Sequence, residues 1–271
     1  MNKLSSIPAP AIAGVIREKT VASAIAEIKN CYCDGANMID LHLSCLENDG
    51  VDSIRAIVES TKLPILALNY NKSTAWEELG LSEDERTESF LRAVDAGCAG
   101  IDMQGYTFHA PSREGFFGED KYSFTKGNPK EIVTDSAVIA KQCELINKAH
   151  EKGAEVLLSC HPAVPMKAEC VVELALFLEK RSPDIIKIVT PATNEDEMLE
   201  SIKAMLLLKK EVRTPVSYHA SGKFGGLTRV VNPALGGQIA FCVDRFSESS
   251  TFEQLDLKTA KSVIDGITKI L

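Results

Sequence analysis

A single (β/α)₈ barrel is the fold class this sequence predicts, on three observations. Short apolar runs alternate with longer segments whose apolar residues recur every three or four positions. Eight such pairs occur, and no compositional break, low-complexity tract or linker divides the 271 residues.

The pairs follow in order. Ala11–Ile16 precedes a helical pattern over Thr20–Asn30, Met38–Leu43 precedes Gly50–Thr61, and Pro64–Tyr70 precedes Ser82–Ala96. Gly100–Gln104 is followed, after a long interval, by Ile132–Lys152. Glu155–His161 leads to Met166–Lys180, and Asp184–Val189 leads to Glu195–Glu211. Pro215–His219 comes before Gly225–Leu235, room for one short helix, and Gln238–Cys242 comes before Phe252–Leu271. Near-continuous apolar runs suit parallel strands whose outer face is covered by helices. An open doubly wound sheet would want a glycine-rich phosphate turn after its first strand, and Ile16-Arg17-Glu18-Lys19 is not one.

Turn chemistry agrees. Ser82-Glu83-Asp84-Glu85 reads as a capped helix start with acids in the first turn, and Gly97 and Gly153 stand where helices should stop. The segment Gly105–Glu131 is long, aromatic and glycine-containing. A loop placed there, after the fourth strand, lies on the active-site face, and Tyr106, His109, Arg113 and Lys121 could close over a pocket.

Composition narrows the function classes. With 45% hydrophobic and 25% charged residues the chain can bury a sizeable core under a charged surface. A net charge of −8 argues against nucleic acid or an anionic membrane as partner. No apolar run approaches the length needed to span a bilayer, and Met1–Ile12 lacks a secretory design, so a cytoplasmic address is expected. The eight cysteines are scattered, and the Cys31/Cys33 pair lacks partners at zinc spacing; reduced thiols and no metal are expected.

Two residues stand out chemically. Lys187 lies within Asp184-Ile185-Ile186-Lys187-Ile188-Val189, and period two puts Ile185, Lys187 and Val189 on one strand face. A desolvated ammonium is costly, and its easiest response is to lose the proton, which is what attack on a ketone requires. A strand-end lysine whose head reaches water is the plainer alternative. His161 closes the preceding strand, at the carboxyl end where barrel enzymes carry catalytic groups. Neighbouring strands lie about 4.8 Å apart. His161 could therefore serve the same carbon as Lys187, exchanging protons near neutral pH. After the seventh strand, Ser221-Gly222-Lys223-Phe224-Gly225-Gly226-Leu227-Thr228-Arg229 offers glycines for close approach and Lys223 and Arg229 as cations for a carboxylate or phosphate.

Leu158-Ser159-Cys160-His161, Asp184–Ile188, Ser221–Gly225 with Thr228-Arg229, and Ser250-Thr251-Phe252-Glu253-Gln254 together resemble the type I 3-dehydroquinate dehydratases. The resemblance runs in order over nearly the whole chain and is more specific in its second half. It implies a (β/α)₈ barrel that dehydrates 3-dehydroquinate to 3-dehydroshikimate without metal or cofactor, in the cytoplasm, with a homodimer as an assembly such barrels often adopt. Lys187 would form the imine, and His161 would remove the C2 proton and assist departure of water. Arg229, Ser250 and Gln254 match positions that hold the carboxylate and hydroxyls of the keto acid.

The first half departs from that pattern. Where the family's second strand carries an acid and an arginine, this chain has Asp40 and His42. Tyr70 stands for the arginine that ends the third strand, and Thr74 for the glutamate that orients the catalytic histidine. Asp102 is in place, while Gln104 replaces a usual acid. Tyrosine cannot offer a carboxylate a bidentate fork, and threonine cannot stabilise an imidazolium by charge. Asp102 is then the candidate to orient His161, with Asp40 second. Without a carboxylate at position 74, His161 is expected to titrate lower than usual for the family, and activity to persist to lower pH. A different hydroxylated ketone as substrate, or a barrel that binds a metabolite without turnover, are the alternatives.

Overall fold

The computed structural model describes residues 3–70, 81–109, 132–162, 164–247, 250 and 253–271. Strand and helix alternate throughout: β1 (Ala11–Ile16), α1 (Val21–Cys33), β2 (Met38–His42), α2 (Val51–Glu59), β3 (Ile65–Leu68) and α3 (Glu83–Asp95). The order continues through β4 (Gly100–Gln104), α4 (Ser136–Glu151), β5 (Glu155–Cys160), α5 (Ala168–Glu179), β6 (Ile185–Pro191) and α6 (Glu195–Glu211). It ends with β7 (Val216–Ser221), α7 (Thr228–Ala234), β8 (Ile239–Val243), a two-residue β9 (Leu255–Asp256) and α8 (Leu257–Thr268).

The strands pair in parallel in the order β7-β6-β5-β4-β3-β2-β1-β8-β9. The two flanks meet at β7 and β8, where the Gln238 amide donates to the Val216 carbonyl at 2.8 Å and the Ser217 hydroxyl to that of Ile239 at 2.8 Å. That seam closes the barrel. The expected strands and helices recur with ends shifted by a few residues; β9 is the unforeseen element.

The Ser82 hydroxyl caps α3 by accepting from the Glu85 amide at 3.2 Å, and the Glu85 carboxylate returns a bond to the Ser82 amide at 2.9 Å. Gly97 and Gly153 end helices with φ of +105° and +82°, a backbone region that costs side-chain-bearing residues.

Period two sorts the strand residues. Outward side chains such as Ile101, Val156, Leu158, Ile186 and Ile188 pack under the helices. Inward ones form a lower apolar layer of Met38, Leu66, Leu157, Ile185 and Ile239, joined by Leu4 from the segment before β1. Each such fully buried side chain contributes about 1.5–3 kcal/mol relative to exposure. Moving toward the carboxyl ends, the inward face turns polar: Asp40 then His42, Asp102 then Gln104, Ser159, Lys187, and Ser217 then His219, all buried. An apolar floor under a polar upper layer is the arrangement that places chemistry at the top of a barrel.

Candidate active site

Lys187 sits in the middle of β6 and is buried. Its Nζ donates to Asp102 Oδ2 at 3.2 Å and lies 4.4 Å from the centroid of the Phe241 ring. The surroundings are thus not the purely apolar ones expected from the flanking isoleucines: a carboxylate and the face of an aromatic ring meet the amine. Asp102 is wholly buried. Its Oδ1 accepts from the Ser159 hydroxyl, and Gln104 Nε2 donates to its backbone carbonyl at 2.7 Å. Burial pushes the Asp102 carboxyl above its ordinary pKa, and nearby Asp40 adds to this, while Lys187 and Ser159 pull it back. These contacts give Asp102 a task besides the one expected of it. It holds Lys187.

Gln104 is fixed in turn by Arg86, whose Nη1 donates to Gln104 Oε1. Arg86 is fully buried in the first turns of α3; it also donates to the Asn69 carbonyl, to Thr107 and, through two nitrogens, to Glu83. A chain of side chains therefore runs from Glu83 through Arg86 and Gln104 to Asp102 and Lys187. Sequence reasoning missed Arg86, because an arginine within an amphipathic helix reads as surface. Tyr106, expected in a lid, is instead buried against Arg86, 5.4 Å from its guanidinium carbon. His109 is exposed, and Arg113, Lys121 and Thr74 lie outside the described residues.

His161 directly follows Cys160, which pairs with Ile188, so His161 stands one inward step above Ser159 and Lys187. Its ring centroid is 6.1 Å from that of Tyr70, and Tyr70 is in turn 6.1 Å from His42. The tyrosine that replaces a family arginine thus stands between two imidazoles. His42 Nε2 is 3.5 Å from Asp40 Oδ2, and Asp40 Oδ1 is buried without a partner among the described residues. Burial pushes Asp40 up, but His42, Lys187 and Arg17 outweigh it and leave the carboxyl below its ordinary value. Burial lowers His42, against the pull of Asp40.

On the opposite wall Arg229 is nearly buried, and its Nη2 donates to Glu253 Oε1 at 3.3 Å. Gln254 is buried, and its Oε1 accepts from Arg17 Nη1 at 3.2 Å. The Ser250 hydroxyl accepts from the Ser247 amide at 3.0 Å, an exposed contact within its own turn. Lys223 is exposed, its Nζ 5.6 Å from the Phe224 ring centroid. The glycines around it serve the turn: Gly222 has φ of +82°, and a side chain at Gly225 would meet the Ala220 carbonyl. His219 is an inward residue that sequence reasoning passed over. Burial holds its imidazole well below the usual histidine pKa, and Arg229, Lys187 and His161 push the same way. None of the eight cysteines is joined in a disulfide.

The combination of a buried lysine on β6, a histidine at the end of β5 and an arginine after β7 can be compared with known proteins. A family model described as type I 3-dehydroquinase matches residues 131–270, more than half of the chain. The chain belongs to that family. It is 22% identical over 232 residues to a 3-dehydroquinate dehydratase of Aromatoleum aromaticum, covering 82% of this chain and 77% of that one. With the enzyme of Methanobrevibacter smithii it shares 21% over 240 residues, covering 88% and 87%. A stronger local match, 29% identity to the enzyme of Alkaliphilus oremlandii, spans 46% of this chain and 49% of that protein. Among solved structures, the Clostridium difficile type I 3-dehydroquinate dehydratase carrying covalently modified comenic acid superposes with a TM-score of 0.76 at 18% identity, over 98% of this chain and 95% of that one.

As a member of the type I 3-dehydroquinase family, the chain divides at its own midline. Lys187, His161, Arg229 and Gln254 fall inside the matched half; Arg17, Asp40, His42, Tyr70 and Asp102 fall outside it.

Proposed function

We propose that this barrel is a Schiff-base lyase that dehydrates 3-dehydroquinate to 3-dehydroshikimate, acting in the cytoplasm as part of the shikimate pathway. The observation that carries the reading is a buried Lys187 amine touching a carboxyl whose own proton affinity is raised. Asp102 can take the proton that frees the amine, and Lys187 then adds to the substrate ketone. Loss of water from the carbinolamine leaves an imine, whose nitrogen acts as an electron sink. His161, above the lysine, removes a proton from the adjacent carbon. The electron pair moves into an enamine, and its return expels the hydroxyl on the next carbon as water, with His161 supplying the proton. Water then hydrolyses the conjugated imine and releases Lys187. Arg229 and Gln254 face the substrate carboxylate in this reading, and Asp40 accepts from a hydroxyl.

Borohydride added with 3-dehydroquinate should reduce the imine and fix the ligand mass on Lys187, while untreated samples develop enone absorbance. An unchanged protein mass together with no enone would sink the assignment. A second reading keeps the imine but takes a different hydroxylated keto acid. It is favoured by His42 and Tyr70, where a fork for the carboxylate would otherwise stand. Trapping across a panel of keto acids separates the two.

A further inference from the structure

The pocket holds an arginine that lies outside the family's pattern as read in the sequence. Arg17 is the residue after β1, and the β1–β2 ladder pairs Ile16 with Leu41. The next rung therefore sets Arg17 across from His42, the position where an arginine is expected from the family. A long, flexible side chain displaced by one strand can bring its guanidinium to much the same place.

The side chain is held in that place. Arg17 Nη1 donates to Gln254 Oε1 at 3.2 Å, while the neighbouring residue Glu253 accepts from Arg229 Nη2 at 3.3 Å. Two consecutive residues between β8 and α8 thus each hold one guanidinium, and the two cations are near enough to act on each other electrostatically. Arg229 keeps a buried Nε with no partner among the described residues. Arg17 also acts electrostatically on Asp40, His42 and Arg229, which places its charge inside the pocket. Like charges brought together under partial burial repel, and an arriving anion offsets that cost. Two forks reaching one pocket suit a planar, two-oxygen anion.

We propose that Arg17 is the second cation of the carboxylate subsite, pairing with Arg229 and taking over from the arginine missing at His42. The proposal rests on the keto-acid reading of the site and names the residue that selects a charged substrate. Dehydration of 3-dehydroquinate is compared with that of its uncharged methyl ester, in the native protein and in Arg17→Met. The variant should lose roughly 100-fold in kcat/KM on the acid, as expected for a charged hydrogen bond, and little on the ester. Arg17→Lys should recover part of the loss, since it restores charge without the fork. Equal losses on acid and ester would overturn the proposal, because they indicate a structural role through Gln254. Should Arg17→Met fail to fold, Arg17→Gln gives the same comparison. Should the native protein neither trap nor convert 3-dehydroquinate, the substrate reading falls by itself. Arg17 is then judged by borohydride trapping of 3-oxocyclohexanecarboxylate against cyclohexanone. A preference for the acid that vanishes in the variant supports it; equal or absent trapping overturns it.

Discussion

Two walls of one barrel differ in how they are built. On β4, β5 and β6, Asp102, Ser159 and Lys187 form a buried, mutually bonded set with His161 above it. On β1, β2 and β3, Arg17, Asp40, His42 and Tyr70 form a second set, with a 3.5 Å contact between Asp40 and His42 and the Tyr70 ring edge-on to that of His42 at 6.1 Å. In the proposed reaction the first wall makes and breaks bonds at one carbon, which tolerates little rearrangement. The second would only have to present charge and hydrogen bonds to a carboxylate and hydroxyls. Several side-chain sets can do that, provided a cation ends in the right place. Reaction chemistry constrains residues; recognition constrains the location of charge.

The sharpest way to break this division is to remove the bond-making groups separately. Lys187→Met should abolish turnover and leave no site for borohydride trapping. His161→Gln should lower kcat by about 10²–10⁴-fold, the usual share of a positioned acid–base group, yet still form the trapped adduct. Mass spectrometry with steady-state kinetics distinguishes them. Loss of the adduct in His161→Gln would mean that the histidine acts before the imine forms, and the proposed order of steps would fail.

Asp102→Asn comes next in size. It removes one member of a buried ion pair and should cost about 3–5 kcal/mol in urea unfolding. It should also slow trapping, since an amide cannot accept the proton that frees the amine. Unchanged stability with unchanged trapping would show that Asp102 is a bystander.

How far these walls were legible in the sequence follows the same physics. Strand and helix placement was readable because each element carries its period locally: six apolar residues at Ala11–Ile16, and three- and four-residue spacing over Glu195–Glu211. β9 was not, since two residues have no period. Lys187 announced itself as a charge inside an apolar strand, and His161 as an ionisable residue at a strand end. The contact of Asp102 with Lys187 was not foreseen, because partnership depends on register across β4, β5 and β6, which no single segment encodes. Arg17, Arg86 and His219 share that problem. Each looks ordinary among its chain neighbours and acquires meaning only through residues of other elements. The register makes the place of His219 plain: Lys187 and Ser217 sit opposite each other, so His219, two residues on from Ser217, faces the same pocket.

The recognition wall can be sharpened by moving its charge. If Arg17 replaces an arginine one strand away, then Arg17→Met combined with His42→Arg should regain about tenfold of the acid-over-ester preference lost in Arg17→Met, as one charge-assisted hydrogen bond would supply. Kinetic comparison of the single and double variants measures this directly. A double variant no better than Arg17→Met would show that position, not charge alone, decides recognition here.

The last prediction concerns the two buried imidazoles that sequence reasoning undervalued. Burial lowers the folded-state pKa of His42 and, further, of His219, whereas the unfolded chain titrates near the ordinary value of about 6.5. Between those values the unfolded state binds more protons than the native one. Stability is therefore fully present above pH 6.5 and declines as the pH falls below it, by up to about 1.4 kcal/mol per pH unit for each such histidine. Urea unfolding followed from pH 7.5 to pH 5 should show this slope, and His219→Met should flatten it by removing the larger contributor. A slope unaltered in His219→Met would mean that His219 accepts a proton in the native protein. Arg229, Lys187 and any charged His161 around it argue the other way: an imidazolium would add another like charge to a pocket that already holds cations.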